Sequence, residues 1–122
     1  MKKLSFLVMA LGLNLLVFGQ TSLSASAKNK AELQGGVATG HIQLTLPNEV
    51  TEENVTMYAK FYTNMFTVEF DAKSHMATFH MLSNDANSRR VILRFLGANQ
   101  IVNVQVDGRS YDLGTFFDTF LQ

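Results

Sequence analysis

The sequence predicts an α+β domain, one antiparallel sheet with two helices packed on the same face. Three observations predict it. Phe66–Gly108 reads FTVEFDAKSHMATFHMLSNDANSRRVILRFLGANQIVNVQVDG, two alternating apolar segments around a polar turn, then a capped helix, then a third alternating segment. His41–Leu46 alternates in the same way, with Ile42, Leu44 and Leu46 on one side. Between them Val55, Tyr58, Ala59, Tyr62 and Met65 recur at helical spacing.

The chain opens with a targeting pattern. Lys2 and Lys3 precede an apolar run, Leu4–Phe18, that only Ser5, Gly12 and Asn14 interrupt, and a polar stretch then ends in Ala25-Ser26-Ala27. A charged start, a short apolar core and a small-x-small site describe a secretory signal peptide, and the run is short for an uncleaved membrane anchor. Residues 1–27 are therefore expected to be removed by a cut after Ala27; a cut nearer Gln20 is the alternative, since Gly19 and Thr21 are also small. The expected location is periplasmic or secreted. Residues 28–122 keep eight Lys and Arg against ten acids, about −2, and only Arg89, Arg90 and Arg94 cluster, which reads as a solvated helix face rather than the basic patch that nucleic acid or an anionic membrane would favour. Without cysteine the exported domain stands on its core, for which eight phenylalanines and three tyrosines remain.

Residues 28–40, KNKAELQGGVATG, are polar and glycine-rich without sustained period and read as a flexible lead-in. The domain is expected over 41–122. Pro47 closes the first strand, because it lacks an N–H for the ladder. Thr51 caps a helix expected from Glu52 to about Asn64, with Glu52 and Glu53 at the positive end of its dipole. Strands follow at Phe66–Asp71 and Met76–Leu82, joined by the turn Asp71-Ala72-Lys73-Ser74. Ser83 or Asn84 caps the second helix, whose stripe includes Ile92, Phe95 and Leu96 and which Gly97 ends in a left-handed conformation. Val102, Val104 and Val106 are expected to face the core. Asp107-Gly108 is a two-residue hairpin signal, so Ser110–Leu113 should double back as a short strand. A last short helix, Thr115–Leu121, presents Phe116, Phe117, Phe120 and Leu121 on one face, to cover either its own domain or a partner.

Strand, helix, strand, strand, helix, strand is the split pattern of the ferredoxin-like sandwich, with strand order 4-1-3-2 and a C-terminal hairpin strand and short helix added. VEFDAKSHMATFHM followed by NDANSRRVILRFLGANQI resembles the second half of heavy-metal-associated domains, and Ile42–Thr56 resembles the first half, about 60 residues in all. The resemblance implies a metal-carrying module whose two cysteines, spaced CxxC, lie in the loop after the first strand. Here that loop is Leu46-Pro47-Asn48-Glu49-Val50-Thr51. Without thiolates no soft copper or zinc site carries over.

Histidine and methionine offer a different ligand set: His41, His75 and His80 with Met57, Met65, Met76 and Met81. In the order 4-1-3-2 the first and third strands are antiparallel neighbours. His41 and His80 are then expected side by side on the helix-free face, with Gln105 near them from the last strand. Met57 and Met65 fall on a helix and Met81 in the core, where methionine fills gaps, and His75 lies by a turn and is expected to be solvated. The rest of that face, Gln43, Thr45, Thr67, Glu69, Thr78, Asn103 and Gln105, is polar and almost uncharged. It reads either as water-facing sheet or as a docking surface for a partner or a second copy. Phe117 and Phe120 extend the candidate interaction surface if the tail meets another molecule.

Catalysis is not expected. Asp71, Asp85, Asp107, Asp112 and Asp118 fall at turns, caps or helix ends, and only Glu69 sits where it can meet His80. The function read from the sequence is a small exported, non-catalytic binding module for a protein or small ligand, without a cofactor and with homodimerisation open. Its alternative is copper or zinc handling through His41 and His80.

Overall fold

The computed structural model describes residues 22–122; the apolar run of the expected leader, Leu4–Phe18, lies outside the described residues. The fold is α+β, a six-stranded mixed sheet in the order β3-β4-β2-β1-β5-β6. The strands are β1 (Leu23–Ser26), β2 (His41–Thr45), β3 (Phe66–Asp71), β4 (Met76–Met81), β5 (Ile101–Val106) and β6 (Arg109–Asp112). The helices are α1 (Lys30–Thr39), α2 (Glu52–Ala59, running into a 3-10 turn at Lys60–Tyr62), α3 (Ala86–Ala98) and α4 (Leu113–Phe116, running into a π turn at Phe117–Leu121).

Where the hydrophobic period was strong, residues and elements agree. β3 occupies the expected span, and β4 pairs with it antiparallel from Phe66↔Met81 to Asp71↔Met76. Thr51 caps α2 through its side chain, accepting from the Asn54 N–H. Asp107 and Gly108 both take positive φ, 51° and 79°, the tight turn that joins β5 to β6. The core lies on one face, where Ile42, Leu44, Phe66, Ala77, Phe79 and Val104 meet Val55 of α2 and Ile92, Phe95 and Leu96 of α3. Phe66, Phe79 and Phe95 pack edge to face with centroids 5.4–6.4 Å apart.

The N-terminal side departs from expectation. Ala25-Ser26-Ala27, read as a cleavage site, ends a strand inside the sheet: β1 runs parallel to β5 and antiparallel to β2, and Ala25 is wholly buried. Leu23, Ala25 and Ala27 alternate with Ser24 and Ser26, a period-two pattern built from small residues. β1 therefore separates β2 from β5, which the order 4-1-3-2 had made neighbours.

Residues 28–40 hold a helix where a flexible lead-in was expected. Asn29 caps it by accepting from the Glu32 N–H, Leu33 enters the core, and Gly40 closes it at φ 81°, its N–H donating to the Gly36 carbonyl. β1 and β2 pair only at Ser26↔Thr45. Beyond that pair the antiparallel register would set residues 27–30 against 44–41, and α1 stands in that place, its backbone packed at Gly36 against His41 and Ile42. A helix thus fills a gap in the sheet.

Smaller corrections have local causes. The cap of α3 is Asp85 rather than Ser83 or Asn84. Gly97 stays helical and Gln100 takes the positive φ, 67°. Val102 is 47% exposed, because the β1–β5 register slips between Leu23↔Ile101 and Ser24↔Asn103 and Ile101 turns inward instead. The C-terminal aromatics pack on their own domain: Phe116, Phe117, Phe120 and Leu121 are buried, Arg90 lies 4.2 Å from the Phe117 ring, and Tyr111 meets Phe120 edge to face.

Candidate functional site

The pairing of β2 with β4 builds the site. Leu46 N–H donates to His75 O and Met81 N–H to Gly40 O, so residues 40, 42, 44 and 46 face β4 through their backbones. Side chains alternate, and those of residues 41, 43 and 45 point to the face away from α2 and α3. Cα register sets His41 opposite His80, Gln43 opposite Thr78 and Thr45 opposite Met76. β3 adds Thr67 opposite His80 and Glu69 opposite Thr78.

The two histidines meet. His41 Nδ1 and His80 Nδ1 lie 2.8 Å apart, with the rings edge to face, and His80 Nε2–H donates to Glu69 Oε1 at 2.9 Å. The pattern assigns the protons. A proton on His80 Nε2 for Glu69 leaves His80 Nδ1 as an acceptor, so in the absence of a ligand His41 carries its proton on Nδ1. The result is a chain, His41 to His80 to Glu69, half open to water: the side chains of His80 and Glu69 are 36% and 76% exposed.

Around this chain the surface is concave. A cleft of about 600 Å³ is lined by His41, Gln43, Glu69, Asp71, Thr78 and His80, among others. A second, of about 340 Å³, shares His41 and Gln43 and runs along α1 past Glu32, Gly36 and Thr39. The gap that α1 fills makes the helix a wall on one side of the open face. Across both clefts the carboxylates Glu32, Glu69 and Asp71 outnumber the one ammonium, Lys28. The field favours a cation or a neutral polar group.

Of the residues expected on this face, Gln43, Thr45, Thr67, Glu69 and Thr78 share it with His41 and His80. Gln105 does not join them. It pairs with Ser26 of β1, two ladder spacings from β2, or about 10 Å, and at the Thr45 end rather than the His41 end. Phe117 and Phe120 are buried and leave the candidate surface. His75, expected to be solvated, instead donates from Nε2 to the Val50 carbonyl at 3.0 Å and packs edge-on against Phe70. That contact ties the loop after β2 to the β3–β4 turn. In the same loop Leu46 and Val50 are buried, so it serves as a plug of the core. Met76 lines both clefts but sits four residues along β4 from His80, about 13 Å away at strand rise, and joins no ligand set with it.

Sequence reasoning missed the wall and its one acid, Glu32. A signal for α1 was present in Asn29-Lys30-Ala31-Glu32, a cap followed by an acid at the third position, and in Leu33 and Val37 at helical spacing. Among the described residues no three of His, Cys, Asp and Glu are placed to hold one metal ion, and no helix is long and apolar enough to cross a membrane. No protein-family model, curated protein or solved structure matches the chain.

Proposed function

We propose that this chain is a small exported, non-catalytic binding module whose ligand enters the cleft over His41, His80 and Glu69. The observation that carries the reading is the cleft itself, with three hydrogen-bonded polar side chains at its floor and α1 as a wall. The lining of the larger cleft offers donors and acceptors but no serine, cysteine or lysine, which favours holding a ligand over covalent chemistry.

The kinship we infer is a ferredoxin-like plan with an inserted strand. With β1 and β6 set aside, the remaining order β3-β4-β2-β5 has the 4-1-3-2 sequence of that fold, and its hairpin and second helix carry the likeness to heavy-metal-associated domains. Export is part of the same reading, with the leader ending before Leu23 so that β1 stays in the sheet.

The test is nuclear magnetic resonance of the labelled protein with four probes: zinc ion, glycine, succinate and glucose. The reading expects one of them to shift resonances of His41, His80, Gln43 and Thr78 together. If none of the four moves those residues, the cleft is not a ligand site and the reading falls.

A further inference from the structure

The cleft's floor has the chemistry of a two-imidazole metal site, and we propose that it takes a divalent ion of the copper, nickel and zinc group between His41 Nδ1 and His80 Nδ1. The inference rests on the binding-module reading and names its ligand class. Three observations converge. Two ring nitrogens face each other at 2.8 Å across a non-covalent contact whose only occupant is a proton. His80 presents Nδ1 as a lone pair because Glu69 holds its other nitrogen as N–H. The lining acids bias both clefts toward cations.

The pairing of Glu69 with His80 is the arrangement that metal-bound histidines use, a carboxylate on the distal nitrogen that fixes the tautomer and raises the basicity of the nitrogen facing the metal. The fit in distance is close. Two nitrogens bound at metal–imidazole lengths lie about 2.9 Å apart in a square-planar cis arrangement and about 3.4 Å in a tetrahedral one. The nitrogens need to separate by only a few tenths of an ångström, but each ring must also turn, because nitrogens aimed at each other along a hydrogen bond have to converge on the ion instead; an exposed sheet face leaves room for those side-chain rotations. As the ion enters, the proton on His41 Nδ1 moves to Nε2, and no net charge leaves a neutral His41. Water completes the coordination, since the protein supplies two ligands. Such a site ranks ions by the Irving–Williams order, so copper(II) binds most tightly.

Glu69 is a positioning residue here and never touches the ion. Removing its acceptor frees His80 to flip or change tautomer, which weakens binding without removing a ligand.

The experiment is titration of the full chain, free of any affinity tag, with copper(II), followed by electron paramagnetic resonance and by competition with a chelator of known affinity. The expected result is one copper per chain with hyperfine structure from two nitrogens. His41→Ala and His80→Ala each lose it, and Glu69→Ala, which removes the acceptor, weakens it by about tenfold to a hundredfold while keeping the two-nitrogen signature. Circular dichroism of each variant shows that the sheet remains. Copper bound equally well without either histidine, or no copper at one equivalent to a folded chain, overturns the proposal. If copper fails but glycine, succinate or glucose shifts the cleft, the metal assignment falls and the binding module stands. If copper and all four probes fail, both fall.

Discussion

A side chain at Gly36 has no room against His41: a Cβ there would stand 2.7 Å from the His41 carbonyl oxygen and 3.2 Å from the Ile42 Cα. Both neighbours are backbone, so neither can rotate away. Gly35, one position earlier in the same helix, has nothing within 4 Å of its own Cβ position. The two glycines therefore predict opposite signs. Gly35→Ala gains helix propensity, up to about 1 kcal/mol. Gly36→Ala gains the same propensity but must lift α1 from β2, which costs about 1–3 kcal/mol as overpacking usually does and outweighs that gain. Urea denaturation of both variants checks this, and equal shifts of the same sign would show that α1 does not pack on the strand.

Arg89 is buried, yet among the described residues it meets no carboxylate within ion-pair distance. Its guanidinium donates from Nε to the Leu121 carbonyl and from Nη1 to Asn84 Oδ1 at 2.6 Å, and Asn84 Nδ2 donates in turn to the Val37 carbonyl at 2.7 Å. Arg89 and Asn84 together thus link the tail, the start of α3 and the end of α1. Arg89→Met keeps the apolar stem and leaves the Leu121 carbonyl and Asn84 Oδ1 without that donor, an expected loss of about 2–3 kcal/mol. Phe117→Asp with Phe120→Asp should destabilise the chain rather than dissociate a dimer. Light scattering beside thermal denaturation separates the two: a change of mass with an unchanged melting temperature would place the tail on a partner.

How much of this was legible depends on the size of the side chains. β3, β4 and the helix over Ile92, Phe95 and Leu96 announce themselves because large apolar residues recur at clean periods. The meeting of His41 with His80 followed from alternation plus strand order, since β2 and β4 stay neighbours with β1 inserted on the far side of β2. β1 stayed hidden because Leu23, Ala25 and Ala27 are also what a signal-peptide terminus uses. α1 stayed hidden because Gly35 and Gly36 dilute its period, although Gly36 is the residue that lets it touch the strand. The bulge at Val102 depends on pairing with β1 and leaves no mark in β5 alone.

Asp85 and Asp112 cap α3 and α4, each accepting from an N–H three residues on, Ser88 and Thr115. Those backbone hydrogen bonds, followed by bonds to the Ser88 and Thr115 side chains, hold both carboxyls below the usual aspartate value of 3.8. A carboxyl depressed in the folded state stabilises the fold above its unfolded pKa, and loses that contribution as pH falls through the folded pKa. Stability should accordingly drop as pH is lowered from about 4 toward 2, near and below the unfolded aspartate pKa. Asp85→Asn keeps an acceptor that does not titrate, so its melting temperature should fall less over that window than the parent's. Parallel curves for the two would remove Asp85 from the acid response.

The position of β1 makes a prediction about maturation. Ala25 is buried between β2 and β5, and the Ala27 N–H donates to the Gln105 carbonyl at 2.9 Å. A chain beginning at Lys28 would lack the strand that joins the two halves of the sheet and expose β5's inner edge, a site for aggregation. A chain beginning at Gln20 or Thr21 would keep it. On the proposed export reading, the mature protein should therefore show an intact mass corresponding to a cut before Leu23. Expressed without a leader, a chain starting at Thr21 should unfold cooperatively in denaturant, whereas one starting at Lys28 should not. A stable, cooperative fold in the Lys28 chain would mean that β2 and β5 can pair directly, as the simpler four-strand order requires.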